Sequence, residues 1–136
     1  MAYYLAKTEP GDYSIDDLAR EGATVWDGVT NAQAVNAIKA MRPGDVVLIY
    51  HSGGEAAVVG VAEVTSEPRP DPREPKSWVV DVRYRGRLEH PVTLQQVKQS
   101  GRFADFALVR QGRLSTMAVP DDFVAWLRAE HGAAIP

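Results

Sequence analysis

The clearest pattern along the chain is an alternation of apolar and polar residues with a period of two between Trp78 and Leu88. One face of this segment is apolar or aromatic, and the other face is charged. The apolar face consists of Trp78, Val80, Val82, Tyr84 and Leu88, and the charged face consists of Asp81, Arg83, Arg85 and Arg87. A period of two predicts a half-buried β-strand with a basic outer edge.

Further short runs of apolar and β-branched residues predict the rest of a sheet. The other predicted strands are Tyr3 to Lys7, residues 45–51, residues 56–65, residues 107–109 and residues 114–119. The glycine-containing turn at 52–55 predicts a hairpin between its two flanking strands. Residues 67–76 contain four prolines among charges, so we expect an exposed loop that does not pair in the sheet.

Capping patterns and helical spacing predict four helices. They are a short helix after Ser14, a helix over residues 30–41, a short helix after Thr93 and a last helix capped by Asp121. Ser14 with Asp17, and Thr93 with Gln96, have the spacing of a capping box. Trp26 is expected in the loop that precedes the second of these helices.

Short strands interrupted by short helices, without a regular alternation of the two, favour an α+β fold. We expect a small curled β-barrel of about five or six strands, with short helices at its rim. The chain has 136 residues, of which 45% are hydrophobic, which is enough for one core. A single domain over residues 1–136 is therefore predicted.

Composition removes several classes of function. There are no cysteines, which excludes disulfides, thiolate metal sites and cysteine nucleophiles, and we expect neither a metal nor a cofactor. No apolar run approaches the roughly 20 residues that cross a bilayer, and the N-terminus does not have the pattern of a secretory signal, so a cytoplasmic location is expected. The formal charge of −3 means that any contact with nucleic acid needs a local basic patch.

Several segments together resemble the EVE domain family of the PUA-like superfamily. They are LAKTEP at 5–10, YSIDDL at 13–18, WDGVTNAQAVN at 26–36, MRPGDVVLIYHS at 41–52, VVGVAEV at 58–64, PDP at 70–72 and RLSTMAV at 113–119. They occur in the order that the family has and cover nearly the whole chain. The resemblance implies a PUA-like barrel with a pocket for a modified base, such as a methylated or hydroxymethylated cytosine.

Three positions depart from the pattern of the family. Thr30, Ala32 and Val35 stand where the family usually has an arginine, a tyrosine and a second arginine. An aromatic surface and two positive charges are therefore missing from the start of the predicted second helix. This departure bears on the identity of the ligand and not on the fold.

The candidate ligand-binding residues lie near the ends of predicted elements. They are Lys7, Thr8, Glu9, Trp26, Asn31, Tyr50, His51, Ser52, Arg113, Leu114 and Ser115. Trp26 could stack on a base, Asn31 could bond to a base edge, and Lys7 and Glu9 could hold a phosphate and an amino group. Each also has a structural interpretation: a core tryptophan, a helix cap, and a surface ion pair.

Other candidates leave similar alternatives open. His51 lacks a partner at metal-ligand spacing, so a structural role competes with a role at the mouth of the pocket. Arg83, Arg85 and Arg87 form an evenly spaced row that could contact successive phosphates, although a solvated strand face is the plainer interpretation. The resemblance to the family is what brings Arg113, Leu114 and Ser115 near the pocket.

Three functions are compatible with these residues. The leading hypothesis is a binding module that recognises a modified base in DNA or RNA after flipping it out of the stack. A small amidohydrolase that acts on a modified nucleoside would need Thr8 as a nucleophile with a base within reach. The third possibility is a protein-interaction domain whose pocket is occluded by Trp26. The sequence does not determine the oligomeric state.

Overall fold

The computed structural model describes all 136 residues. It contains seven strands and five helices. In chain order they are β1 (Tyr3–Thr8), α1 (Ile15–Glu21), β2 (Ala23–Trp26), α2 (Ala32–Ala40), β3 (Val46–His51), β4 (Ala57–Val64), β5 (Arg69–Pro70), β6 (Trp78–Thr93), α3 (Leu94–Gln99), α4 (Ala107–Arg110), β7 (Thr116–Ala118) and α5 (Asp121–His131). None of the helices is long and apolar enough to cross a bilayer.

The strands form one sheet in the order β2-β6-β4-β3-β1-β7, with the two-residue β5 paired to β6 outside this order. β1 and β3 run parallel, and the other pairs are antiparallel. α2 packs against both β6 and β7, which lie near opposite ends of the sheet, so the sheet curls around this helix. The α+β class is confirmed, with seven strands rather than five or six and with a sheet that does not close, because β2 and β7 do not pair.

The two capping boxes and the hairpin predicted from the sequence are present in the structure. The Ser14 side chain accepts from the Asp17 amide while the Asp17 carboxylate accepts from the Ser14 amide, which is a complete capping box. Thr93 and Gln96 form the second one. The predicted hairpin is present as β3 and β4, which are buried along almost their whole length.

Four predictions of local structure were wrong. Residues 107–110 form α4 rather than a strand, because the Phe106 carbonyl accepts from the amides of Val109 and Arg110. Trp26 is the last residue of β2 rather than a loop residue. The loop at 67–76 does pair in the sheet through β5, where the missing amide of Pro70 is tolerated at an edge. Asp121 does not cap α5, which has Pro120 at its N-cap and Asp121 as its first helical residue.

The core is one contiguous cluster, and a glycine sets how closely α1 approaches it. Gly60 lies in β4 beneath Ile15, and a Cβ at Gly60 would lie 2.3 Å from Ile15 Cδ1 and 3.0 Å from the carbonyl oxygen of Gly86. Any side chain at position 60 would therefore have to displace α1 or the neighbouring strand. This contact fixes where the chain between β1 and β2 lies.

We expect Gly60→Ala to lower the free energy of unfolding by about 1–3 kcal/mol, because an extra carbon in a filled core forces shifts of that cost. Urea denaturation followed by tryptophan fluorescence measures the difference. Gly54→Ala is the matched control, since nothing lies within 4 Å of its new carbon. Adding Ile15→Val, which removes the clashing Cδ1, should recover part of the loss. Equal stability of the two glycine variants would contradict this account of α1.

Candidate functional site

A cleft of about 470 Å³ opens at the gap where the sheet does not close. One wall comes from the end of β1 and the turn after it, and the other from β2 and the loop after it. The lining residues are Lys7, Thr8, Glu9, Asp12, Tyr13, Thr24, Val25, Trp26, Asp27, Gly28, Val29 and Ser115. Five predicted ligand-binding residues are therefore brought together here, namely Lys7, Thr8, Glu9, Trp26 and Ser115.

Lys7 is the cationic side chain that lines this cleft. Its amine donates to the carbonyl oxygen of Gly112 at 3.0 Å and lies 5.4 Å from the centre of the Tyr50 ring. The hydrogen bond goes to a main-chain carbonyl and not to Glu9, so the surface ion pair between these two residues does not form. Burial lowers the pKa of the Lys7 amine.

Two aromatic rings form a corner of the cleft. Tyr13 and Trp26 pack in an edge-to-face arrangement, with ring centres 6.2 Å apart and an angle of 82° between the rings. The Tyr13 hydroxyl donates to Glu21 at 2.6 Å, and burial together with this hydrogen bond raises the pKa of Tyr13 to about 12. Tyr13 therefore stays a neutral aromatic wall at any physiological pH.

Trp26 has two environments at once. It is only 9% exposed and belongs to the contiguous core, yet part of it lines the cleft. The core interpretation therefore describes most of the indole, and the remainder lies at the surface of the cleft. The cleft beside it is open, so burial of Trp26 does not occlude the pocket.

Acidic groups dominate the polar part of the cleft. Three carboxylates, those of Glu9, Asp12 and Asp27, line it together with the single amine of Lys7. Asp27 lies 3.9 Å from Arg73, a loose and exposed pair of little energetic weight. The cleft therefore favours ligand groups that donate hydrogen bonds and disfavours phosphate.

Three other candidates, Tyr50, His51 and Ser52, do not line the cleft. His51 is buried, and both of its ring nitrogens are engaged: Nε2 accepts from the Ile15 amide at 3.0 Å, and Nδ1 lies 2.7 Å from Glu55. This histidine satisfies the first amide of α1, which has no partner within the helix. Burial raises the pKa of the Tyr50 phenol, and Ser52 donates its amide to the Thr8 carbonyl at 2.9 Å.

A second, shallower groove of about 300 Å³ holds the remaining candidates. Asn31, Arg113 and Leu114 line it together with Gln33, Gln111 and Gly112. The Asn31 side chain caps α2 by accepting from the Ala34 amide at 3.1 Å, which leaves its amide nitrogen free to face the groove. The bond from Lys7 to Gly112 joins this groove to the cleft.

The positions that depart from the family pattern lie on α2 or just before it. Thr30 and Ala32 are exposed near the start of the helix, whereas Val35 is buried in the core. Val35 is therefore a packing residue in this chain. The groove beside the start of α2 is lined by one cationic side chain, that of Arg113.

The row of arginines on β6 is already paired with carboxylates. Arg83 and Arg85 both donate to Glu63, and Arg87 donates to Asp16 through Nε at 2.9 Å and Nη2 at 2.6 Å. These hydrogen bonds lower the pKa of Glu63 and raise that of Arg87. The three arginines and Asp16 are exposed and Glu63 is half-buried, so the pairs are weak and the arginines can exchange these carboxylates for other anions.

Several residues of the cleft were missed by sequence reasoning. They are Asp12, Tyr13, Thr24, Val25, Asp27, Gly28 and Val29. A signal for β2 was present, because Thr24, Val25 and Trp26 are β-formers that follow Gly22. No local pattern shows that this strand faces the end of β1 across an open edge.

A curled, unclosed sheet wrapped on a helix, with a cleft at its gap, defines a PUA-like domain. A family model then assigns the chain more narrowly: the EVE domain model matches residues 2–130. The chain belongs to the EVE domain family, which confirms the resemblance found in the sequence.

Relatives of known sequence and structure agree with this assignment. A protein of Rhodopseudomonas palustris solved by NMR is 37% identical, with a TM-score of 0.90 over 97% of this chain and 94% of its own. Human THYN1, crystallised in complex with DNA that contains 5-methylcytosine, is 25% identical, with a TM-score of 0.84 over 95% of this chain and 98% of its own. Thymocyte nuclear protein 1 of Rattus norvegicus is 29% identical over 124 residues, which cover 71% of this chain and 55% of that protein. The chain thus spans about half the length of the curated relatives it matches.

We expect His51→Ala to destabilise the protein by about 1–3 kcal/mol, because it leaves the Ile15 amide without an acceptor at a buried helix start. Ser52→Ala is the control, since only the main chain of Ser52 is bonded. Thermal or urea unfolding of both variants measures the effect. A stability loss in Ser52→Ala and none in His51→Ala would contradict the structural role of the imidazole.

The Lys7 amine should lose its proton at a lower pH than a free lysine, whose pKa is 10.5. Burial disfavours the charged form, so the cleft loses its positive charge as the pH rises through this lowered value. The ¹³Cε chemical shift of Lys7, followed by NMR between neutral and strongly alkaline pH, gives the midpoint. A midpoint at or above the value of free lysine would show that the hydrogen bond to Gly112 outweighs burial.

Proposed function

We propose that this chain binds DNA carrying a modified cytosine and holds the flipped base in the cleft between β1 and β2. The observation that carries this proposal is the lining of the cleft, which combines an aromatic corner with free carboxylates. The complex that human THYN1 forms with 5-methylcytosine-containing DNA supports it, because the crystallised part of that protein shares the fold of this chain over 95% of this chain's length.

The dimensions and apolar surface of the cleft suit a single base. Its volume of about 470 Å³ lies within the range typical of small-ligand sites. Flipping a base costs a few kcal/mol, and stacking on an aromatic side chain recovers about 1–3 kcal/mol. Tyr13 and the accessible part of Trp26 provide that surface, and Val29 adds an apolar contact.

The polar groups of the cleft match the exocyclic amino group of cytosine. Carboxylates accept hydrogen bonds from this amino group, whereas a thymine or uracil would present a carbonyl oxygen to them. Glu9 and Asp12 line the cleft without an ion-pair partner, so they are free to accept. The same carboxylates repel phosphates, so the base enters the cleft while its backbone stays outside.

The backbone phosphates then need cations beyond the cleft. Arg113 and the amide of Asn31 lie in the groove that Lys7 joins to the cleft, and we assign the phosphates beside the flipped base to this groove. Arg83, Arg85 and Arg87 remain phosphate candidates on a second face, at the cost of exchanging Glu63 and Asp16 for phosphate. DNA is the favoured nucleic acid, and RNA is a ligand to be compared with it.

The contacts of Thr8 do not favour the hydrolase alternative. Its hydroxyl donates to the Tyr13 carbonyl at 2.8 Å, and the neighbouring Lys7 amine donates to Gly112. A nucleophilic hydroxyl needs a base that accepts its proton, and a main-chain carbonyl cannot do this.

The open cleft likewise gives no support to an interaction domain with an occluded pocket. The cytoplasmic location stays a prediction from the sequence.

Duplexes that carry 5-methylcytosine at one position should bind more tightly than duplexes with thymine at that position, by about tenfold or more. Fluorescence anisotropy at one fixed salt concentration measures both, with unmodified and hydroxymethylated cytosine, single strands and RNA as further ligands. Glu9→Gln keeps the shape of the side chain but removes its charge and replaces one accepting oxygen by a donating amide nitrogen, so it should reduce this preference.

Asp105→Asn is the matched control, because it removes one negative charge at a fully exposed site in the turn that precedes α4, outside the cleft. A variant that only weakens phosphate repulsion would tighten binding to every duplex equally and leave the preference unchanged. Equal binding of methylcytosine and thymine duplexes by the unaltered protein would rule out the proposed function for these ligands.

A further inference from the structure

The free edge of β2 forms part of the wall of the cleft. β2 is the last strand at its end of the sheet, so it is paired on one side only, with β6. Val25 lines the cleft and is 44% exposed, which is unusual for a large apolar residue of this chain. The exposed edge leaves some main-chain groups of β2 without partners.

The register of the ladder decides which groups these are. The Tyr84 amide donates to the Gly22 carbonyl at 2.8 Å, immediately before β2 begins. Hydrogen-bonded and non-hydrogen-bonded pairs alternate in an antiparallel ladder. Thr24 and Trp26 therefore bond to β6, whereas Ala23 and Val25 direct their amides and carbonyls away from it.

The opposite strand gives independent support for this register. Asp81 lies opposite Val25, and it uses both of its main-chain groups on its other side. Its amide donates to Ser66 Oγ at 2.9 Å, and its carbonyl accepts from the Thr65 amide at 2.9 Å. Nothing in β6 is left to bond with Val25, whose amide and carbonyl face the open edge.

We propose that the main-chain amide and carbonyl of Val25 read the hydrogen-bonding edge of the base in the cleft. This inference rests on the proposed function of that cleft. The amide and carbonyl of one strand residue point the same way, side by side, and are normally satisfied together by a complementary pair. The edge of cytosine offers such a pair, because its N3 accepts and its adjacent amino group donates.

An extended peptide could also bind to the edge of β2 as an added strand, but it would bond to more residues of that edge than a single base would. Strand addition employs the outward groups of successive alternate residues, which here means Ala23 as well as Val25. Of these two residues only Val25 lines the cleft, and β2 is four residues long. The position of the cleft therefore favours a compact planar ligand at Val25 over a strand along the whole edge.

Val25→Pro tests this inference, because it removes the amide that we assign to the base. Proline is accepted in edge strands where its nitrogen faces outward, so no ladder bond is lost. We expect the affinity for the 5-methylcytosine duplex to fall by about tenfold or more, which reflects an unsatisfied hydrogen-bonding group. Ala23→Pro is the matched control, because it makes the same change on the same edge outside the cleft, and it should bind as the unaltered protein does.

Hydrogen exchange provides a second measurement that needs no substitution. The Val25 amide should exchange rapidly in the free protein and slowly in the presence of the 5-methylcytosine duplex, while the ladder-bonded amides of Thr24 and Trp26 are protected in both. Slow exchange of the Val25 amide in the free protein, or no change on adding the duplex, would overturn the inference.

The binding outcomes separate this inference from the function on which it rests. Tight and selective binding by both the unaltered protein and Val25→Pro would overturn the role of Val25 and leave the proposed function standing. Equal losses of duplex affinity in Val25→Pro and Ala23→Pro would mean that proline disturbs β2 as a whole, and would overturn the specific assignment of base reading to Val25. An unaltered protein that binds no modified duplex would overturn both.

Discussion

The position of Ile15 is the constraint on which the cleft depends. Its amide is held by His51 at the end of β3, and its side chain lies against Gly60 in β4. A helix start is normally stabilised by its own caps, and here a buried imidazole adds a tertiary bond to that local capping box. These two contacts fix the position of α1, and they thereby fix the positions of the turn at Tyr13 before it and of β2 after it.

The gap between β2 and β7 in the sheet creates the candidate binding cleft. Closing a barrel would pair β2 with β7 and satisfy both edges, whereas the open form leaves the edge of β2 facing the end of β1. The space between them collects side chains from distant parts of the chain, including Trp26 and Ser115. The edge that remains unpaired is therefore available to a ligand, and it is too short to invite another strand.

Charge is distributed so that the cleft and its surroundings have different preferences. Carboxylates line the cleft, Arg113 lies in the adjoining groove, and Lys7 connects the two through Gly112. A base with an amino group suits the first environment and a phosphate suits the second. Such a division explains how a chain with a net charge of −3 could hold nucleic acid without a strongly basic surface.

The contrast between Ser14 and Trp26 shows what sequence reasoning could reach. Ser14 and Asp17 form a capping box that depends only on residues three apart, so its prediction held. Trp26 was expected in a loop but lies in β2. This strand forms by pairing with β6, more than fifty residues away, so no pattern near Trp26 predicts it. α4 was missed for a related reason, since a segment this short is decided by whether a neighbouring strand is available to it.

The sequence by itself determined the family, the α+β class and the elements whose signals are local in the chain. It also picked out five of the cleft residues, because Lys7, Thr8, Glu9, Trp26 and Ser115 lie in segments with recognisable patterns. Only the tertiary structure decided that His51 is a structural acceptor, that the arginines of β6 are paired, and that β2 has a free edge beside Tyr13. The physical reason is that hydrogen-bond partners and burial arise from contacts between distant segments, which no local spacing specifies.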